Sequence, residues 1–91
     1  MPADKQSVLK ELRTIPGVGK SIAHDLWNIN IRSINEIKGK DPEIMYNDSN
    51  KYAGVVQDRC LLYVFRCAVY FAETPKAKQQ PEKLKWWNWK D

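Results

Sequence analysis

At 91 residues, 43% hydrophobic and 29% charged, the chain has the length and balance of one small globular domain. A domain of this size buries roughly 60–65% of the surface its unfolded chain exposes, which leaves little room for a deep substrate pocket and speaks against an enzyme. Lys and Arg outnumber Asp and Glu by 15 to 11, and the net charge of +4 favours association with polyanions.

Asp4 or Ser7 can cap a first helix that runs to about Arg13, with Val8, Leu9 and Leu12 on one face. Pro16-Gly17 stops it. A second helix starts near Lys20 and carries Ile22, Ala23, Leu26 and Trp27 as its apolar stripe. Asn28 and Asn30 close it, because asparagine tolerates the left-handed conformation of a helix end. Ser33 to Glu36 reads as a capping box that opens a short helix with Ile34 and Ile37 inward, ended by Gly39. Asp41-Pro42 opens a fourth helix, with Ile44 and Met45 on its apolar side. Asn47 to Asn50 are poor helix formers and predict fraying there, with a loop at Gly54. The longest helix is expected from about Val56 to Glu73. Its apolar residues cover most of its circumference, as in a buried central helix. Tyr63 and Tyr70, seven apart, would show their hydroxyls along one edge. No segment reads as a strand.

From Thr74 the composition changes. Pro75 and Pro81 bracket a linker rich in lysine and glutamine, followed by Trp86-Trp87-Asn88-Trp89-Lys90 with three of the four tryptophans. Two readings stand: the rings dock onto the helical core and complete it, or they form a lysine-flanked platform for stacking on bases. Cys60 and Cys67 are two turns apart on one helix face, about 10 Å along the axis. That is too far for a disulfide and is not the spacing of a metal pair. Both read as buried, reduced thiols. The first ten residues lack an apolar signal segment, and the longest apolar stretch, interrupted by Arg66, falls short of the ~20 residues a membrane span needs. A cytoplasmic location and no membrane partner are expected.

The chemistry gathers in Leu12-x-x-Ile15-Pro16-Gly17-Val18-Gly19-x-x-x-Ala23-x-x-Leu26. Two glycines one residue apart allow a tight turn and a close approach of backbone to a ligand. The amides of Gly19, Lys20 and Ser21 stand at the start of the second helix, where they lack intrahelical partners and the dipole favours an anion. Lys20 adds a charge at the same place. Gly17, Val18, Gly19, Lys20 and Ser21 therefore form a predicted grip on a phosphate that reads no base. Lys10 and Arg13 on the first helix, and Arg32 or Lys38 beyond the second, are predicted flanking contacts. His24, the single histidine, reads as a helix-surface residue one turn from Lys20 and close enough to add a contact to DNA.

The segment from Leu9 to Trp27 resembles the helix-hairpin-helix motif of DNA repair and recombination proteins. That resemblance implies an all-α bundle of about five helices of the helix-hairpin-helix (SAM-like) type. It also implies duplex DNA as partner, bound through hairpin amides, often with a monovalent cation on hairpin carbonyls when DNA is present; no other cofactor is expected. Ile31-Arg32-Ser33-Ile34 and Asp41-Pro42-Glu43 are similar to the connector between paired motifs. A second hairpin would fall between Tyr46 and Gly54, but only Gly54 is present, so the second half departs from the pattern. The whole chain, through Asp58-Arg59-Cys60-Leu61-Leu62 and the tryptophan ending, resembles a small bacterial family of pathogenicity-locus or mitomycin-resistance-like helix-hairpin-helix proteins. The division expected is a helix-hairpin-helix domain over 1–73 and a Pro/Lys linker with a Trp-rich segment over 74–91.

Other chemistries fit poorly. Gly19-Lys20-Ser21 is not the end of a P-loop, because Thr14 stands where the signature needs glycine. Asp58 resembles the aspartate of glycosylases that carry this hairpin. In their lyase members, however, a lysine lies two residues after the second glycine, where this chain has Ser21. Asp58 then reads as an acid at a helix N-terminus. The expected function is a non-catalytic, sequence-independent DNA-binding module. The alternative is an interaction or accessory module that holds a larger DNA repair or recombination protein through Trp86, Trp87, Trp89 and exposed tyrosines.

Overall fold

In the computed structural model, which describes residues 4–91, side-chain caps set where most helices begin. Asp4 accepts from the Gln6 amide at 3.0 Å and opens α1 (Lys5–Leu12). Ser33 accepts from the Glu36 amide at 3.3 Å and opens α3 (Ile34–Ile37). Asp41 accepts from the Glu43 amide at 2.9 Å and opens α4 (Pro42–Ala53). Asp58 accepts from the Cys60 amide at 2.8 Å and opens α5 (Arg59–Glu73). Among the described residues, α2 (Lys20–Asn28) is the one α-helix that starts without a capping side chain, at Gly19. The helix ends follow the same local logic: Asn30, Gly39 and Gly54 all take positive φ. The fold is all-α, with five α-helices and no strand among the described residues. Residues 1–3 of the expected first domain lie outside the described residues.

α5 is the central helix. Leu62, Phe65, Cys67 and Ala68 are fully buried, joined in the core by Leu12, Ile15, Ala23, Leu26, Ile31 and Ile37 from the preceding segments. α1 packs on α2, α3 and α4 pack on α5, and α2 meets α4. A long-range bond ties the first half together: Glu11 of α1 accepts from the Ile34 amide at 2.7 Å, at the start of α3.

Four sequence expectations change. α4 does not fray at Asn47–Asn50 but runs to Ala53. Ser49 and Asn50 accept from the Gln57 carboxamide at 2.8 and 3.2 Å, Asn50 also takes the Gln57 amide at 2.9 Å, and the Tyr46 hydroxyl donates to the Gln57 carbonyl at 2.5 Å. These bonds outweigh the weak helix propensity of the segment. Ile44 is 58% exposed, and Tyr46 joins Met45 in the core instead. α5 begins at Arg59, and Val56 stands in the preceding loop, 83% exposed. The box at Ser33 is half made, since the Glu36 carboxylate accepts from the Arg32 amide at 3.0 Å rather than from Ser33.

The segment after Thr74 folds back along α5 as three short 3-10 helices, Lys76–Lys78, Pro81–Leu84 and Trp86–Trp89. Arg66 fastens it. Its guanidinium donates to the Trp89 carbonyl at 2.8 Å, to Asp91 at 2.8 Å and to Glu43 of α4 at 3.1 Å; Arg59 pairs with the same Asp91. The two tyrosine hydroxyls are engaged here: Tyr70 accepts from the Gln80 amide at 2.7 Å, and Tyr63 lies 3.5 Å from Asp91. Trp86 and Trp89 are half-buried, whereas Trp87 is 50% exposed. Trp86 therefore packs against the core, Trp89 lies against the ring of Tyr70 with its indole N–H donating to the Lys83 carbonyl at 2.8 Å, and Trp87 faces outward.

Candidate nucleic-acid interface

The loop between α1 and α2 is built on two buried anchors. Ile15 and Val18 are 1% and 5% exposed, and the Val18 amide donates to the Ile15 carbonyl at 3.0 Å, closing a turn around Pro16-Gly17. Gly17 has φ +85°, and a Cβ there would stand 2.9 Å from Cδ1 of Trp86. Both the backbone and the neighbour require glycine. Gly19 differs: its backbone is extended, and a Cβ would meet nothing within 4 Å. Of the two glycines, Gly17 makes the turn against the C-terminal segment, and Gly19 leaves open the approach to the first turn of α2. Val18 gives its side chain to the core, so only its backbone is offered outward. Ser21 is exposed in that first turn.

α1 and α2 lie antiparallel, since Lys5 at the start of α1 sits over the ring of Trp27 at the end of α2, 5.5 Å from its centroid. Near the loop the two helices leave a hollow of about 260 Å³ lined by Gln6, Leu9, Arg13, Lys20 and His24. No lining residue is acidic. The ion pairs found among the described residues use Arg59, Arg66 and Lys85, leaving Arg13 and Lys20 without a carboxylate partner. The Nδ1 of His24 lies 3.0 Å from the Lys20 carbonyl. A carbonyl only accepts, so Nδ1 carries the hydrogen and Nε2 is the free edge of the ring. Asp25, next along α2, is rotated about 100° around the helix. Burial pushes its carboxyl above the ordinary range.

The predicted residues thus divide. Arg13 and Lys20 come together at the start of α2, with Gly19 and Ser21 on either side of Lys20 in the chain, while Lys10 is exposed on α1 and does not line the hollow. Arg32 does not present a free guanidinium: it stacks over Trp27 at 3.5 Å from the centroid and donates to the Trp27 carbonyl at 2.7 Å. Lys38 is exposed at the end of α3, which does not line the hollow. Gln6 was not singled out from the sequence, and Leu9 was read only as part of the apolar face of α1. Their spacing with Arg13, i, i+3 and i+7, is the signal that places all three on one face of α1.

Asp58 is occupied as the cap of α5, and its bond to the Cys60 amide holds its carboxyl below the ordinary range. The cysteines part company: Cys67 is buried and its thiol is pushed up to about 11 by burial, but Cys60 is exposed in the first turn of α5, against the expectation of two buried thiols. Among the described residues no group of His, Cys, Asp and Glu is arranged to hold a metal ion. No helix among them is long and apolar enough to cross a membrane.

Fold and site together describe a small all-α protein with one uncapped, basic helix start. The chain belongs to the pathogenicity-locus family, whose model matches residues 5–91. No curated protein matches the chain, and no solved structure matches it.

Proposed function

We propose that the protein is a non-catalytic DNA-binding module of the helix-hairpin-helix type that grips the phosphate backbone without reading bases. The observation that carries this reading is the start of α2. Among the described residues, four of the five α-helices have a first-turn amide taken by a capping side chain, and α2, with none, has its first-turn amides open to an outside anion beside Arg13 and Lys20. Amides at a helix start bind phosphate through hydrogen bonds and the dipole together. Gly17 and Val18 shape the loop, Gly19 clears the approach, the amides of Lys20 and Ser21 donate, and the side chains of Lys20, Arg13 and Lys10 add charge. Hairpin carbonyls are the donors that a monovalent cation would find there, since no hairpin side chain is acidic; the amide grip works without it. One patch of this kind binds weakly, no tighter than about micromolar at physiological salt.

Fluorescence anisotropy of labelled duplex and single-stranded DNA over a salt series tests the reading. Binding should weaken steeply with salt. Gly19→Glu places a carboxylate before the amides at a position with open space, so the fold is retained and binding should fall at least about tenfold. Equal binding by this variant, or none by the parent at low salt, would make the loop purely structural. The rival reading, a module docking on a larger protein, would then gain from the exposed Tyr52, Val55 and Val56, and from Trp87 rather than from Trp86 or Trp89.

A further inference from the structure

The hollow between α1 and α2 offers more positive charge than one backbone phosphate needs. A phosphodiester carries a single charge and two free oxygens. The hollow presents the guanidinium of Arg13, the ammonium of Lys20, the ring edge of His24 and the carboxamide of Gln6, with no acid among its lining residues. Among the described residues Arg59 and Arg66 are held against Asp91 and Arg32 against the ring of Trp27, whereas Arg13 has neither kind of partner. The volume, about 260 Å³, lies below the roughly 300–1,000 Å³ of pockets that take drug-sized molecules. It has room for a phosphoryl group.

The histidine sharpens the match. Its Nδ1 hydrogen is committed to the Lys20 carbonyl, so Nε2 is the atom left for a ligand. Protonated, it donates to a phosphate oxygen; neutral, it accepts from a phosphate hydroxyl. A phosphomonoester, with three free oxygens and a second ionisation near neutrality, offers both partners, and a diester offers only acceptors. We infer that this hollow receives the terminal phosphate of a DNA strand end while the amides of α2 hold the adjoining phosphodiester. The inference rests on the DNA-backbone reading and adds strand ends to it.

Three duplexes of one sequence decide it: one with 5′-phosphates, one with 3′-phosphates and one with hydroxyls at every end, each carrying an internal fluorophore. One phosphate-ended duplex should bind about tenfold more tightly than the hydroxyl-ended one, as 1.4 kcal/mol of added charge-assisted bonding provides, and the duplex that gains names the end. Arg13→Ala and His24→Gln should lower that ratio to about one. Arg13 is exposed, so its variant keeps the fold even where the histidine variant does not. Equal affinities for all three duplexes, or a ratio that survives both variants, would overturn strand-end recognition and leave backbone binding standing. Excess inorganic phosphate that displaced all three alike would also overturn it, marking a general phosphate site. Failure of every duplex to bind at low salt would remove the DNA reading itself, and this inference with it.

Discussion

The loop into α2 and the loop into α5 begin with the same backbone device and end in opposite states. Gly17 and Gly54 both take the left-handed conformation, with φ of +85° and +75°. After Gly17 the chain reaches α2 through Gly19, with no side chain on the first-turn amides. After Gly54 it reaches α5 through Asp58, whose carboxylate takes the Cys60 amide. The rims differ in the same sense. Arg13 and Lys20 border the first, whereas Tyr52, Val55 and Val56, 63–83% exposed, border the second. A turn glycine therefore says little about ligand binding. What distinguishes the two loops is whether the protein supplies its own anion to the helix behind.

The largest expected effect tests the turn itself. Gly17→Ala should cost about 3 kcal/mol, combining left-handed strain of roughly 1–2 kcal/mol with a clash against Trp86. Gly54→Ala meets open space and should cost only the strain, about 1 kcal/mol. Chemical denaturation of both variants reads the difference, and equal losses would mean that the Trp86 contact does not brace the loop.

A smaller effect, on binding, comes from making the first loop like the second. Gly19→Asp supplies α2 with an internal cap and should leave stability unchanged or raised by a few tenths of a kcal/mol. Affinity for duplex DNA should fall about tenfold, because the carboxylate occupies the amides that a phosphate would use. A variant as stable as the parent that still bound DNA fully would break the contrast between the loops.

The smallest effect concerns the segment that braces Gly17. Arg59 and Arg66 hold the Asp91 carboxyl below its ordinary range. Its contribution is complete above the unfolded value of about 3.9 and is lost as pH falls through the lowered folded value. Tryptophan fluorescence should then shift at acid pH as the segment loosens, and Asp91→Asn should remove that step.

Most helix starts were legible because each is decided within four residues: Asp4, Ser33 and Asp41 cap locally, and Asn30, Gly39 and Gly54 end what precedes them. The same locality made the glycine start of α2, with no capping side chain, legible. What escaped depends on residues far apart in the chain. α4 persists through Asn47–Asn50 because Gln57 returns to bond Ser49 and Asn50. Arg32 looked like a free cation because its stacking on Trp27 is a tertiary fact. The exposure of Cys60 and Ile44 depends on which arc of each helix the neighbours cover, and apolar periodicity fixes that arc only to within a residue or so. The spacing within α1 puts Gln6 and Leu9 on the face of Arg13, but that this face borders a hollow depends on α2 lying beside it.

Cys67 has its sulfur 3.6 Å from the Lys83 carbonyl and 4.0 Å from the Pro16 carbonyl, between the C-terminal segment and the turn that carries Gly17. Only a thiolate is an effective nucleophile, and this thiol is both covered and slow to ionise. Alkylation of Cys67 must therefore wait for the segment to lift away. Cys60 stands exposed in the first turn of the same helix and reacts from the closed state. Asp58 pushes the Cys60 thiol up as well, so once each rate is corrected for its own thiolate fraction, the remaining lag of Cys67 measures how often the brace behind the loop opens.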